Sequence, residues 1–364
     1  MNRLLAFAVL ASLFNSVGHG QQPVPSGKFR GDIVDPDTKE VLMRVAMHVP
    51  KTLPAKDKPL GLLFLCHGYN GNEGNYIGLT VKALERLKLD DQVLVISGKS
   101  KAMGWTNDDD ARVLKVIDWA RKNYPIDPRR IFFFGSSNGA AYVGRFCWEQ
   151  EDKIAAVAGY CGGYRNFKEP KGQNAADNRT EWYFVHGSKD NAQNSRKACD
   201  TLSKFGYRSI FRQMDGYGHT DIWDSRGHPS SAKADAVRDD WLTLMHALRH
   251  KQIAPTTDEL KALEAAVKDP EGADWAEVAR IGGPPAAKSV LAGFSSKEEK
   301  TRLAAARACL VTVFDRTVIN GLVKLLDDPS SQVKEAATQA LGRAAGWRYT
   351  EAQQALAKLA RKKD

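Results

Sequence analysis

A serine that lies between two glycines is the part of this chain most suited to chemistry. The segment is Gly135-Ser136-Ser137-Asn138-Gly139, and it follows the apolar run 131–134 and precedes the small and apolar residues 140–143. This order predicts a buried strand, a tight turn and a helix, a setting that holds a serine Oγ out above a parallel sheet. The glycines are needed because so strained a turn leaves no room for side chains. We therefore predict that Ser137 is a nucleophile.

A serine hydroxyl needs partners further along the chain, because it attacks only when a base removes its proton and a carboxylate orients that base. In this kind of site the acid and then the histidine follow the serine. Asp190 comes soon after the predicted strand 182–185, and His219 lies in the glycine-containing loop 216–220. We predict Asp190 as the acid and His219 as the base.

Alternatives to both partners are present in the sequence. Asp215 and Asp221 could replace the acid, although both lie very close to His219, and His228 could replace the base. Asp190 could also be a helix N-cap or a turn residue, which is a common role for aspartate.

Two backbone N–H groups are needed to hold the negative charge that develops on an attacked carbonyl oxygen. One is expected from the residue after the nucleophile, Asn138. The other is expected from Tyr69, in the loop after the apolar strand 62–66. His67 in the same loop could be mistaken for a base or a metal ligand, but we expect its side chain to brace the loop through local hydrogen bonds.

The elements that position these residues alternate between strand and helix patterns up to about residue 251. Short apolar runs, typical of strands buried on both faces, occur at 62–66, 93–96, 131–134, 154–158 and 182–185. A helix is predicted from Asn107 to Pro125, and residues 41–49 alternate loosely, as an antiparallel edge strand would. We predict an α/β fold with a mostly parallel sheet and helices on both faces.

The composition changes after residue 252, where strand patterns stop and alanine, leucine and charged residues dominate. Residues 290–309 align without gaps on residues 322–341, an offset of 32, and Asp327-Asp328-Pro329 predicts a turn between helices. A period of this size indicates stacked helix pairs. We predict a small all-α domain over 252–364, with 260–281 as a degenerate cap. It could bind a protein partner or serve as a structural cover.

Composition sets broader limits on the 364 residues, which are 43% hydrophobic and 26% charged with a formal net charge of +10. We interpret the charge as a solvated surface, and no zinc-finger spacing or strongly basic repeat indicates nucleic acid.

Residues 1–20 have the pattern of a signal peptide, with an apolar core too short to span a bilayer, so we expect a secreted or periplasmic protein. The five cysteines match no metal motif, and pairing among Cys147, Cys161 and Cys199 is left open.

Two tryptophans lie in loops near the expected site. Trp105 and Trp223 could stack on sugar or aromatic rings of a substrate, or they could pack beneath their own loops.

A family resemblance rests on several short motifs, which cover residues 60–225. The motifs are the His67-Gly68 loop, Asp118-Trp119, Ile126-Asp127-Pro128-Arg129-Arg130, the Ser137 turn, His186-Gly187 with Asp190, and Gly218-His219. This part of the chain resembles the secreted α/β-hydrolase-fold esterases that include poly(3-hydroxybutyrate) depolymerases, feruloyl esterases and acetyl xylan esterases. The last third is similar to HEAT-like helical repeats.

The resemblance implies a serine esterase that needs no cofactor, with Ser137 as nucleophile, Asp190 as acid and His219 as base. Its expected substrates are small esters, esterified polysaccharide or polyester, with a possible protein partner on the repeats. Two alternatives stay open: a serine peptidase of the same fold, and a non-catalytic binding protein that uses the repeats.

Overall fold

A single sheet of eight strands organises the chain. The computed structural model describes residues 26–35, 37–53, 59–168, 180–221, 231–250, 253–310, 316–346 and 349–361. The predicted signal segment 1–20, Trp223 and His228 lie outside the described residues. The strands are β1 Gly27–Val34, β2 Val41–Val49, β3 Leu60–Cys66, β4 Val93–Gly98, β5 Ile126–Ser136, β6 Ala156–Tyr160, β7 Glu181–Gly187 and β8 Ser209–Met214.

The strand order is β1-β2-β4-β3-β5-β6-β7-β8. The pairs β1–β2 and β2–β4 are antiparallel, and every other pair is parallel. The mostly parallel α/β sheet predicted from the sequence is therefore confirmed. The interpretation of β2 as an edge strand was wrong, because β1 pairs along its outer side.

Helices cover both faces of the sheet because successive side chains of a strand point to opposite faces. In β5, Phe132 and Phe134 face one hydrophobic core, whereas Ile131 and Phe133 face the other. The first core is covered by α1 and α5, and the second by α2, α3 and α4. These helices are α1 Ile77–Leu87, α2 Asp110–Asn123, α3 Asn138–Glu149, α4 Gln193–Lys204 and α5 Ser231–His246.

The rest of the chain is helical over its described residues. The helices are α6 Thr257–Lys268, α7 Trp275–Ile281, α8 Ala287–Phe294, α9 Glu299–Ala308, α10 Arg316–Leu325, α11 Ser331–Gly346 and α12 Thr350–Arg361. None of the helices in the described ranges is long and apolar enough to cross a membrane.

The internal repeat corresponds to two helix pairs, α8 with α9 and α10 with α11. The aligned positions Ala305 and Ala337 are both fully buried. Arg302 of the first pair donates to both carboxylate oxygens of Asp328, in the turn of the second pair, at 2.7 and 3.1 Å. The predicted turn therefore also links the first helix pair to the second through a hydrogen-bonded ion pair.

The helical segment packs directly on the sheet domain. Its apolar residues belong to the same core as Phe132 of β5 and Trp241 of α5. Arg129 of β5 adds a buried polar contact: its guanidinium donates to Asp127, to Glu259 of α6 at 2.8 Å and to the carbonyl of Ile281. The predicted domain boundary falls between α5 and α6, and these contacts join the two sides of it.

All five cysteines are buried, and none of them forms a disulfide in the structure. The disulfide that the sequence left open among Cys147, Cys161 and Cys199 is not formed in the structure.

Breaking the contact between Arg129 and Glu259 should destabilise the protein. Both side chains are at least nine-tenths buried, and removal of one partner from a buried ion pair typically costs 3 to 5 kcal/mol. We expect Glu259→Ala to lower the free energy of unfolding by about 3 kcal/mol, measured by urea denaturation. Lys261→Ala, on the exposed side of the same helix, should change it by under about 0.5 kcal/mol. Equal losses in the two variants would contradict this account of the junction.

Candidate active site

Ser137 occupies a strained turn between β5 and α3. Its backbone has φ 54° and ψ −117°, a conformation that side-chain-bearing residues rarely adopt. A Cβ on Gly135 would collide with the carbonyl of Gly139, and one on Gly139 would collide with the carbonyls of Cys66 and His67. Glycine is therefore required at both positions, as the sequence predicted.

His219 and Asp190 form a hydrogen-bonded line with this serine. His219 Nε2 lies 2.9 Å from Ser137 Oγ, and its Nδ1 lies 2.6 Å from Asp190 Oδ2. Because a carboxylate only accepts, Nδ1 carries the proton and Nε2 is left to accept the serine hydroxyl. The three side chains come from the carboxyl ends of β5, β7 and β8, which meet at one edge of the sheet.

The rival acids have other partners. Asp221 accepts the N–H of Gly218 at 2.7 Å, and Asp215 accepts the side-chain amide of Gln213 at 3.1 Å. Both contacts are local, so Asp190 alone of the three carboxylates is hydrogen-bonded to His219.

Asp190 is held in its charged form. Burial by itself would raise its pKa, but hydrogen bonds from His219 and from the N–H of Asn191 outweigh that effect and lower the pKa. A carboxylate that stays ionised can stabilise an imidazolium formed on His219.

Two backbone amides beside Ser137 are available as donors. Within the described part of the chain, the N–H groups of Tyr69 and Asn138 donate to no acceptor. The loop that carries Tyr69 lies against the serine: a Cβ on Gly68 would be only 3.3 Å from Ser137 Cβ. The sequence prediction named these two amides; the loop of Tyr69 lies against Ser137, and Asn138 follows it directly in the chain.

His67 braces this loop as expected. It is fully buried, and its Nε2 accepts the N–H of Ser100 at 3.1 Å, so the proton lies on Nδ1, which donates to the carbonyl of Gly68 at 2.6 Å. Burial lowers its pKa, which keeps the ring neutral.

Trp105 does not offer a stacking surface, so its interpretation as a substrate contact was wrong. Its side chain is 3% exposed and packs against Phe64 and Tyr142. The backbone N–H of Trp105 donates to Asn138 Oδ1 at 2.7 Å, so Trp105 instead fixes the residue that supplies one of the free amides. Tyr69 and Met103 are each 58% exposed in the same region, and the sequence analysis singled out neither side chain.

A second histidine also approaches Asp190, and sequence reasoning gave it no role. His186 is buried, and its Nε2 lies 2.8 Å from Asp190 Oδ2, although the contact is not aligned as a hydrogen bond. Its Nδ1 lies 2.9 Å from Ser195 Oγ, which in turn reaches the carbonyl of Gly162. Burial lowers its pKa, with partial compensation from Asp190. His186 thus lies beside the same carboxylate oxygen that His219 engages, without a hydrogen bond to it.

Cys161, Asp190 and His219 have ligand atoms within 4.8 Å of one another. This set suits a metal poorly, because burial raises the pKa of Cys161 to about 12 and its thiol stays protonated at neutral pH. The Nδ1 of His219 is also engaged by Asp190. The sequence prediction of no metal site stays a prediction.

A comparison with known families agrees with the helical-repeat part of this architecture. The HEAT repeat family matches residues 318–346, which are part of α10 and α11. No curated protein matches the chain.

Several solved structures are similar in fold. A thermostable esterase has a TM-score of 0.46 and 19% identity, over 61% of this chain and 63% of that one, so the match spans less than two thirds of its length. A ferulic acid esterase has a TM-score of 0.45 and 14% identity, over 58% and 98% of the two chains. S-formylglutathione hydrolase (FrmB) from Staphylococcus aureus has a TM-score of 0.44 and 17% identity, over 58% and 98%. The activity of this chain is therefore inferred from its own site.

Removing the His186 side chain should slow turnover, because this side chain lies against the carboxylate of Asp190. His186→Leu deprives the carboxylate of this neighbour, and we expect kcat to fall about tenfold, equivalent to about 1.4 kcal/mol. His186→Gln keeps a polar side chain beside Asp190 and should retain more of the rate. Thermal unfolding of both variants controls for stability, and equal kcat values in the two would refute the positioning role.

A chelator should leave turnover unchanged. If the site works through Ser137 and its partners without a metal ion, prolonged incubation with EDTA followed by gel filtration will not alter kcat or KM. A loss of activity that added Zn²⁺ restores would show instead that the Cys161–Asp190–His219 group holds a metal.

Proposed function

We propose that this chain is a serine hydrolase that cleaves carboxylic esters through an acyl-enzyme. The supporting observation is the aligned contact of Ser137, His219 and Asp190 beside two unengaged backbone amides. A nucleophile, a base, an orienting acid and two N–H donors are the parts that acyl transfer needs.

The acylation step follows from the distances. His219 Nε2 takes the proton of Ser137, and Oγ attacks the ester carbonyl carbon. The carbonyl oxygen becomes negative and accepts the N–H groups of Tyr69 and Asn138. The imidazolium, held by Asp190, then gives its proton to the alcohol oxygen as the ester C–O bond breaks.

Deacylation repeats the same proton movements with water. His219 removes a proton from a water molecule, the resulting hydroxide adds to the acyl carbon, and Ser137 leaves with the proton that His219 returns. The free acid is released and the site is restored.

The substrates that we propose are esters of short or aromatic acids. Tyr69 and Met103 lie exposed beside the loop that carries one of the oxyanion amides, and the hydroxyl of Tyr69 reaches Met103 Sδ at 3.8 Å. An aromatic ring and a thioether form an adaptable apolar surface for a small acyl group. The imidazole of His219 is 47% exposed, so an ester attached to a polysaccharide or polyester could also approach.

Two wider parts of the proposal rest on the sequence. We propose export, based on the apolar segment 4–14 and the small residues that follow it. We also propose that the surface of the helical repeats that faces away from the sheet domain binds a protein partner, since stacked helix pairs commonly present such surfaces.

Replacing the nucleophile tests the core of the proposal. Ser137→Ala should lower kcat for p-nitrophenyl butyrate by about a million-fold, because loss of the nucleophile removes the whole acyl-enzyme route. Ser295→Ala, an exposed serine on the helical segment, is the matched control and should turn over at the wild-type rate. Undiminished hydrolysis by the Ser137 variant would place the nucleophile elsewhere, and an inactive wild-type protein would favour the binding-protein alternative.

A substrate panel separates the remaining alternatives. We expect p-nitrophenyl acetate, p-nitrophenyl butyrate and methyl ferulate to be hydrolysed with much higher kcat/KM than a peptide p-nitroanilide. Preference for the anilide would favour the serine peptidase. Acid release from acetylated xylan or poly(3-hydroxybutyrate) tests whether the site reaches polymers.

A further inference from the structure

A cavity of about 820 Å³ lies between the sheet domain and the helical segment. Its walls come from the end of α1 and the start of β4, from Arg130 of β5, from α5, and from α7, α9 and α11. It is separate from the candidate active site. Arg130 precedes Ser137 by seven positions along an extended strand, which corresponds to about 20 Å.

The charge of this cavity is one-sided. Six cationic side chains line it, and no acidic residue does so among the lining residues that the structure describes. The six are Arg130, Arg249, Arg280, Lys300, Arg307 and Arg343.

Arg130 is the most informative of the six. It is 3% exposed and forms no ion pair with a described residue. Its Nη1 donates to the carbonyl of Pro59 at 3.4 Å, but its Nε and Nη2 have no hydrogen-bond partner among the described residues. The neighbouring Arg129 is equally buried but is paired with Asp127 and Glu259. A buried cation without a counter-charge is costly, so the difference between the two arginines indicates that Arg130 faces a site for an anion.

Other arginines around the cavity support this conclusion. Arg280 is paired with Glu259 and Glu277, but its buried Nη1 has no partner among the described residues. Arg249 is 7% exposed, and its guanidinium donates only to backbone carbonyls within the described residues. Arg343 has no ion-pair or hydrogen-bond partner among the described residues, and burial lowers its pKa.

The rest of the cavity wall is apolar. Leu87 and Leu89 lie on one side, and Trp275 and Leu303 lie on the other. A small inorganic ion would leave these side chains uncovered, whereas an apolar chain or ring would pack on them. The volume falls in the range of ordinary organic ligands, 300 to 1,000 Å³.

We propose that this cavity binds an amphipathic organic anion, with its carboxylate or phosphate at Arg130, Arg280 and Arg343 and its apolar body against Leu87, Leu303 and Trp275. The site goes beyond the proposed ester hydrolysis, because it is at the opposite edge of the sheet from Ser137. It joins residues of both domains, so an occupant stabilises the junction between them.

Binding of simple probes to the full chain tests this proposal. Decanoate and decyl phosphate, below their micellar concentrations, supply the two head groups on the same apolar chain, and decanol supplies the chain without a charge. We expect at least one anion to bind by calorimetry and to raise the unfolding temperature, with decanol binding at least tenfold more weakly. The tighter of the two anions identifies the head group.

Variants separate this cavity from any binding at the active site. Arg343→Gln and Arg130→Gln should each weaken binding of the preferred anion at least tenfold while ester turnover without the anion stays at the wild-type value. Lys358→Gln, an exposed cation on α12 outside the cavity, is the matched control and should bind normally. If Arg130→Gln does not fold, the affinity of Arg343→Gln for the anion tests the proposal by itself. Equal binding of decanol and the anions, or unchanged affinity in Arg343→Gln, would overturn the proposal.

Discussion

The left-handed turn at Ser137 is the constraint on which the rest of the structure depends. A non-glycine residue in such a conformation costs about 1 to 3 kcal/mol, and here it is held between the central strand β5 and the start of α3. Gly139 packs so closely on the carbonyls of Cys66 and His67 that no side chain would fit. This one approach brings the loop that carries Tyr69 against the strained turn of Ser137.

Strand β5 runs from the junction with the helical segment to the candidate active site. Its carboxyl end leads into Ser137, and near its amino end Arg129 is paired with α6 while Arg130 faces the basic cavity. Two helix pairs bury little surface on their own, which explains why the helical segment shares the core of α5 and the sheet. The repeats are therefore part of the same folded unit as the sheet domain.

Local sequence patterns were sufficient to predict most of the parallel strands and the three residues of the candidate site. The buried runs predicted the parallel strands, although the run at 154–158 forms its strand at Ala156–Tyr160. The order of serine, aspartate and histidine identified three residues that the structure brings together. Trp105 was misjudged because a tryptophan in a loop has the same sequence signature whether it is exposed or packed on Phe64 and Tyr142. The edge position of β2 was misjudged because β1 was not recognised as a strand: its burial alternates, but two of its four inward positions are glycines, Gly27 and Gly31.

The sequence by itself determined the features that depend on neighbours along the chain: the strand–turn–helix at Ser137, the alternation of strands and helices, and the 32-residue repeat. Only the tertiary structure decided that His186 contacts Asp190, that Trp105 holds Asn138, and that Arg129 is paired while Arg130 is not. The reason is physical. Backbone conformation and hydrophobic periodicity are set locally, whereas the partner of a buried polar group comes from elements that are distant in the chain and meet only after packing.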